Sequence, residues 1–401
     1  MSAQRFATIV LVSALSILPA FAPAALAADP QQQYKQGIEA LYNLDFNKAE
    51  PAFTELTRSY PDNPDYWTGL ASTVWLRILQ EQQKLNMESF SGKDTFGTRD
   101  SKDAVSPAEE TKLRAHVDRA ISAADALLKK NPKDIQALYA KGVANATLAS
   151  FEGTIKRSYL AAGKKAKTAR DLHREVLKLD PNFHDAEMTI GIFNYIVGSA
   201  PGWARHTILF VLGITGEGKA AGIRQLESAV RHGKRAVTDA KSLLVVVYTR
   251  EQRYEDALKL SSDLHRAYPR NFMYELTTAS LYGKMKRWDA AIQTYQQIIA
   301  KIRARTDGYE RLRPDKVTME LGNTQIHSSH FEDAVETFKR VVASKDATPN
   351  EKASAHLWIG KVYDSSNRRP QALEHYKAIQ ALDCDRKLKE EARKYERRPF
   401  K

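Results

Sequence analysis

The sequence is short of several kinds of residue and segment, and each shortage excludes a class of protein. It has a single cysteine, Cys384, so an internal disulfide framework is excluded. That thiol either stays unpaired or forms a disulfide with another chain. Beyond residue 27 no apolar run reaches the roughly 18 residues that a membrane-spanning helix needs. Acidic residues number 48 against 61 lysines and arginines, so the formal net charge is +13 and the chain is basic.

Patterns that indicate catalysis or metal binding are also sparse. The ten histidines form no metalloprotease motif, and the pair at helical spacing, His327 and His330, has few acidic residues nearby to complete a metal site. No two carboxylates are spaced in a way that distinguishes acid–base chemistry from helix solubility. The sequence therefore predicts no catalytic residue, no bound metal and no cofactor, and we expect a protein that is not an enzyme.

The first 27 residues have the three parts of a secretory signal peptide. Arg5 precedes an apolar stretch from Ile9 to Phe21, and residues 25–27 form an Ala-Leu-Ala cleavage pattern. We predict that this segment is removed on export, so that Ala28 begins the mature chain. The signal is bacterial in style, which favours a periplasmic location. The alternative is an N-terminal membrane anchor.

A repeated pair of small residues is the most abundant pattern in the chain. Eight times a small residue on one predicted helix is followed by an alanine or glycine on the next, and five of the pairs are 12 residues apart. The pairs are Gly37/Ala49, Ala71/Ala120, Gly142/Ala169, Gly191/Gly222, Val245/Ala257, Ala279/Ala291, Gly322/Ala334 and Gly360/Ala372. Small side chains at both places let two helix backbones approach closely, so we expect stacked helical hairpins.

Other residues recur in phase with these pairs. The repeat around Val245 shows the pattern well, with Leu244, Tyr248, Ala257 and Pro269. It resembles the tetratricopeptide repeat, whose first helix carries Leu-Gly and Tyr and whose second carries Ala, an aromatic residue and a closing Pro. The resemblance implies an all-α, right-handed superhelical solenoid of about eight antiparallel helix pairs that acts by binding other molecules.

The repeat phase divides the chain into segments. They are the signal peptide at 1–27, repeats one and two at 28–132 with a polar insertion near 80–112, repeats three and four at 133–236 with an apolar hairpin insertion near 198–219, repeats five to eight at 237–385, and a basic C-terminal tail at 386–401. A further insertion around 150–163 is expected to lengthen both helices of repeat three. All three insertions fall between the first and second helix, so they should cluster along one edge of the solenoid.

The apolar hairpin near 198–219 is open to three interpretations. Gly213–Lys219 follows most of a phosphate-binding loop, but Ala220 stands where the Mg²⁺-binding hydroxyl is needed. A nucleotide-binding or enzymatic module is therefore one alternative. Residues 203–212 form a short apolar patch beside a basic residue, which suits an element that docks on a partner or on a membrane surface. The third interpretation is a structural cap over the groove.

Within this hairpin, Trp203, Arg205 and Phe210 are the candidate lid or docking tip. The surrounding stretch, residues 191–223, resembles tetratricopeptide proteins of the eukaryotic mitochondrial outer-membrane and inclusion-clearance type. The similar residues are Phe193-Asn194, Pro201, Gly213-Ile214-Thr215-Gly216 and Gly222-Ile223. The family's aromatic residue is replaced by Ile214 and its serine by Thr215. This resemblance implies a shared architecture rather than a shared activity.

The concave face should supply the partner contacts. By the repeat phase Tyr139, Met188, Ile192 and Tyr195 face the groove, and their apolar character favours an apolar helix or an extended peptide. The Lys and Asn set that holds a peptide carboxylate in chaperone-binding relatives is not reproduced. The basic charge also allows an anionic membrane surface as a partner, whereas nucleic acid is not expected in the compartment that an exported protein reaches. The sequence predicts an exported scaffold or assembly adaptor of unspecified oligomeric state.

Overall fold

The computed structural model describes residues 29–81, 105–200, 213 and 217–401. Within these ranges the chain forms seventeen α-helices and no β-strand. In chain order the helices are α1 Pro30–Tyr42, α2 Phe46–Ser59, α3 Pro64–Glu81, α4 Pro107–Lys130, α5 Ile135–Thr154, α6 Tyr159–Leu179, α7 Asp185–Ser199, α8 Lys219–His232, α9 Val237–Arg250, α10 Tyr254–Ala267, α11 Phe272–Lys284, α12 Trp288–Arg303, α13 Pro314–His327, α14 Phe331–Ala343, α15 Pro349–Ser365, α16 Arg369–Ala381 and α17 Arg386–Arg397.

The first sixteen helices form eight successive hairpins, and each hairpin packs on the next, so the predicted helical repeat solenoid is confirmed. The predicted signal peptide at 1–27 and the docking residues Trp203, Arg205 and Phe210 lie outside the described ranges. None of the helices inside those ranges has the length and the hydropathy to cross a membrane.

In five of the eight hairpins a glycine lies where the two helices meet, and no larger side chain fits there without a shift of its neighbours. A Cβ atom on Gly37 would lie 2.9 Å from the ring of Phe53, and one on Gly360 would lie 2.4 Å from the ring of Tyr376. Each ring comes from the residue four positions after the alanine of the pair, so it points across the hairpin at the glycine. Repeat four differs, because a Cβ on Gly191 would meet the carbonyl oxygen of Gly222 at 2.8 Å. There two backbones touch directly.

The five hairpins with the 12-residue spacing share one turn. In each of them the residue five positions before the alanine of the pair has a positive φ, between 57° and 62°. These residues are Leu44, Gln252, Lys286, Ser329 and Asn367. None is glycine, so every turn carries the strain that an L-residue has in the left-handed region. The constant spacing therefore reflects one turn geometry repeated along the array.

The described parts of the insertions are helical. In repeat three, α5 and α6 are 20 and 21 residues long, against 14 for each helix of repeat five, so this insertion extends both helices. Residues 107–112, at the end of the polar insertion near 80–112, begin α4 rather than lying in a loop. Pro107 occupies the first turn of α4, where its missing N–H removes no hydrogen bond.

The basic tail at 386–401 also contains a helix. Its first twelve residues form α17, whose Ala392 is fully buried against the last hairpin. The remaining face is charged, which suits a terminal helix that covers the last repeat and meets solvent on its other side.

Repeats that are distant in sequence also touch. The loop after α1 packs against the loop before α11, and the apolar core that starts in α1 continues into Phe272 and Tyr309. An array that contacted only its neighbours would not make such a contact. We call the contact between residues 42–45 and residues 268–272 the cross-contact.

Candidate functional site

The cross-contact is built from main-chain and side-chain hydrogen bonds. Asn271 Nδ2 donates to the carbonyl oxygen of Tyr42 at 2.7 Å, and the main-chain N–H of Arg270 donates to Asn43 Oδ1 at 3.2 Å. Both asparagines are buried. The Tyr42 and Tyr268 rings lie 5.1 Å apart between centroids. Because these groups are polar, buried and paired, the cross-contact is a defined interface inside the chain.

A second link crosses the inner side of the solenoid next to the cross-contact. It begins at Asp185, the first residue of α7, whose Oδ1 accepts the main-chain N–H groups of Lys234, Arg235 and Ala236 at 2.7–2.8 Å. Asp185 is 5% exposed, so these three bonds satisfy a buried carboxylate. They hold the loop before α9 in one conformation and thereby place Arg235.

Arg235 then reaches the inner side of repeats two and three. Its guanidinium pairs with Asp65 Oδ2 at 2.7 Å and donates to Gln136 Oε1 at 3.0 Å. It also lies over the ring of Tyr139, 5.0 Å from the centroid. Arg235 therefore ties α3 and α5 to the start of α9, and its charge is balanced within the chain.

Of the four predicted groove residues, the two tyrosines are interior. Tyr139 is 4% exposed and stacks on His173 with the ring centroids 4.8 Å apart. Tyr195 is 2% exposed, and its hydroxyl donates to Glu251 Oε1 at 2.9 Å, which joins α7 to the end of α9. Burial and the Glu251 carboxylate raise the pKa of Tyr195 to about 12. A partner in the groove would meet other side chains before either of these rings.

The other two, Met188 and Ile192, are half-buried and pack at the edge of the core of repeats four and five. They stand one helical turn apart on α7, and Ile196, one turn further, is 53% exposed. We call Met188, Ile192 and Ile196 the apolar stripe. Side chains at i, i+4 and i+8 lie on one side of a helix, so the apolar stripe is continuous. The partner-binding role of these residues stays a prediction.

Asp239 lies in the first turn of α9, at a position that the repeat phase places on the concave face of repeat five. Its carboxylate is exposed to the space beside the cross-contact and accepts the Tyr42 hydroxyl at 2.9 Å. The protein that surrounds this space disfavours the charged form and raises the pKa of Asp239 to about 6, against a lowering effect of the Tyr42 hydrogen bond. No lysine or arginine of the described ranges forms an ion pair with it.

Three acidic residues share one position in the repeat, and this recurrence is visible in the sequence. Asp65, Asp185 and Asp239 each stand six residues before the first small residue of a pair, in repeats two, four and five. Their shared position places them at the same end of the first helices. The partners that distinguish them come from distant repeats, so the phase alone does not reveal which acid is left without a cation.

The alternative nucleotide loop is described only at Gly213 and residues 217–219. There, Lys219 begins α8 and its amine pairs with Glu251 Oε2 at 2.6 Å. A phosphate-binding lysine has to be available to the ligand, whereas this one joins α8 to the end of α9. For metals, the described ranges contain no group of three histidine, cysteine or acidic side chains able to hold an ion.

Comparison with known proteins identifies the repeat type in two stretches of the chain. Two family models for the tetratricopeptide repeat match residues 34–77 and residues 276–301, so the predicted tetratricopeptide repeats are confirmed. No curated protein matches the chain.

Among solved structures, the chain is similar to yeast Tom70, a mitochondrial outer-membrane tetratricopeptide protein, with 13% identity over 93% of this chain and 89% of that one and a TM-score of 0.35. It is similar to the human IFIT1 dimer with m7Gppp-AAAA, with 13% identity over 92% and 87% and a TM-score of 0.38. It is also similar to a tetratricopeptide repeat protein from Parabacteroides merdae, with 13% identity over 90% and 98% and a TM-score of 0.26.

Proposed function

We propose that the protein is an exported scaffold or assembly adaptor of the cell envelope that binds a segment of a partner protein in its groove. Tetratricopeptide repeats support a protein-binding scaffold. The export step rests on the signal-peptide pattern at 1–27, and a bacterial-style signal favours the periplasm. The role is one of binding rather than catalysis.

The observation that carries this proposal is the apolar stripe. A folded chain gains free energy by burying methionine and isoleucine side chains, yet these three stay wholly or partly open on α7. An apolar row at i, i+4 and i+8 is the kind of surface on which a partner helix or an extended segment docks. It lies on α7, the first helix of repeat four, beside the repeats that the cross-contact links.

The test is crosslinking of tagged mature protein in its native envelope, followed by mass spectrometry. Ile196→Asp places a charge at the most exposed position of the stripe, and Leu160→Asp is the matched control, because Leu160 is 57% exposed and belongs to a different helix, α6. We expect a discrete partner with the wild type and with Leu160→Asp that is lost with Ile196→Asp. Absence of any discrete partner, or equal capture by both variants, contradicts the proposal.

A second candidate is a membrane-surface adaptor that docks through residues 203–212. The net charge of +13 and the basic helix α17 favour it, because lysines and arginines are attracted to anionic lipid. Sedimentation of the mature protein with anionic vesicles at low salt tests this candidate. Protein that stays in the supernatant excludes it. Loss of nucleotide-dependent thermal stabilisation in Lys219→Ala would instead favour the nucleotide-binding alternative.

A further inference from the structure

Asp239 lies among tyrosines from two distant parts of the chain. Tyr42 comes from the end of α1, Tyr268 follows α10, and Tyr274 is on α11. The Tyr42 hydroxyl donates to the carboxylate, and the Tyr268 ring lies 5.1 Å from the Tyr42 ring. The Tyr274 hydroxyl is bonded to Ser242, one turn along α9 from Asp239. We call Tyr42, Asp239, Tyr268 and Tyr274 the tyrosine–aspartate cluster. It exists only because the cross-contact brings repeat one to repeats five and six.

The three acids at the shared repeat position differ in how they are satisfied. Asp65 has the Arg235 guanidinium at 2.7 Å, and Asp185 has three main-chain N–H donors. In the part of the chain that the structure describes, Asp239 has one donor, the neutral Tyr42 hydroxyl. A carboxylate in surroundings that disfavour its charge is stabilised by a cation, and the described ranges supply cationic or multiple donors to the first two acids and not to the third.

The aromatic rings add a second feature suited to a cation. Tyrosine faces carry negative potential and attract ammonium and guanidinium groups within about 6 Å of the ring centroid. Elsewhere in this chain the same pairing occurs with internal partners, since Arg253 lies 4.0 Å from the Tyr248 centroid and Arg235 lies 5.0 Å from that of Tyr139. No such internal cation is found over Tyr42 or Tyr268 among the described residues.

We propose that the tyrosine–aspartate cluster binds a lysine or arginine side chain of the segment that occupies the groove. This inference rests on the proposed function and names the chemistry of the partner. Asp239 of this cluster is on α9 and the apolar stripe is on α7, and these are the first helices of consecutive hairpins. The segment that fits both is one in which a basic residue stands close to aliphatic residues.

The overall charge of the protein makes it possible to distinguish a basic partner segment from an acidic one. A protein of net charge +13 has no general attraction for a basic peptide, so affinity for one has to come from a particular acidic site. An acidic peptide would instead bind the basic outer surface, with no dependence on Asp239. The two kinds of partner therefore predict different responses to one substitution.

The probe is a ten-residue oligolysine, titrated into the mature full-length protein by isothermal calorimetry at neutral pH and moderate salt. Asp239→Asn is the test variant, because the asparagine oxygen still accepts the Tyr42 hydroxyl and the fold is kept. Asp333→Asn is the matched control, since Asp333 is an exposed acid on α14. We expect saturable binding with the wild type and with Asp333→Asn, and binding at least about tenfold weaker with Asp239→Asn.

Absence of oligolysine binding overturns the inference, as does equal binding by Asp239→Asn and Asp333→Asn. Oligoglutamate that binds all three proteins alike, with no binding of oligolysine, indicates an anionic partner instead. A partner that is captured through the apolar stripe while oligolysine fails to bind leaves the proposed function standing and removes only the cation site. Retention of the wild-type circular dichroism spectrum by Asp239→Asn shows that weaker binding is not a loss of fold.

Discussion

His173 makes repeat three sensitive to acid. It is fully buried, and its ring occupies the place across from Gly142 that Phe53 takes across from Gly37. Its Nε2 lies 3.0 Å from the Tyr139 carbonyl oxygen, so that nitrogen carries the proton of the neutral ring. Burial lowers the pKa of His173 to about 4, against the raising effect of the carbonyl oxygens of Tyr139 and Ala186.

The stability of repeat three depends on pH because His173 binds its proton at a different pH in the folded and the unfolded chain. The unfolded chain binds a proton at His173 near pH 6.5, whereas the folded chain binds it only near pH 4. The stabilisation is therefore complete above the unfolded pKa and is lost as the pH falls towards the folded one. At pH 5 the histidine is almost fully protonated in the unfolded chain and almost neutral in the folded chain. The free energy of unfolding is therefore about 2 kcal/mol lower at pH 5 than at pH 7.5.

The measurement is hydrogen exchange of peptides from α5 and α6, read by mass spectrometry and corrected for the intrinsic effect of pH. A local reading is preferred because an array of repeats need not unfold in one step. We expect protection of these helices to fall about 30-fold from pH 7.5 to pH 5 through His173 alone. His173→Phe, the residue found at this place in repeats one and seven, should remove that part of the fall. If the variant loses as much protection as the wild type, the reasoning is wrong.

Four further outcomes are expected. Gly360→Ala should destabilise the last repeat by about 1–3 kcal/mol in urea unfolding, because its Cβ would lie 2.4 Å from the Tyr376 ring; unchanged stability would contradict this. Lys286→Gly should stabilise by up to about 1 kcal/mol, because its φ is +57°. Asn271→Ala should lower stability by about 1–3 kcal/mol and enlarge the radius of gyration in X-ray scattering. Oligolysine binding should weaken about tenfold from pH 7.5 to pH 5, as Asp239 with its pKa of about 6 becomes protonated; pH-independent binding would exclude Asp239 as the site.

Much of the fold was predictable because hairpin packing is local. The pair Gly360 and Ala372 is 12 residues apart, and the ring that meets the glycine, Tyr376, is four residues further on. Periodicity within one repeat therefore reports the contact directly. The exposure of the candidate groove residues could not be predicted in the same way, because it depends on contacts between repeats. Met188 and Ile192 lie at partly open positions of α7 and their partner-binding role stays a prediction, whereas the burial of Tyr139 and Tyr195 did not follow from the repeat phase.

The sequence by itself determined the helical hairpins, their number and their order, because each depends on small residues on two successive helices, 12 positions apart in five of the eight pairs. Only the tertiary structure decided how the array curves and which distant repeats meet. Tyr42 and Asp239 are 197 positions apart and touch because small rotations between successive repeats add up over four hairpins. The spacing of residues within a repeat does not show how large the total rotation over several repeats is. The same curvature that encloses Tyr139 under Arg235 leaves Asp239 open, with tyrosines around it and no ion pair to any lysine or arginine that the structure describes.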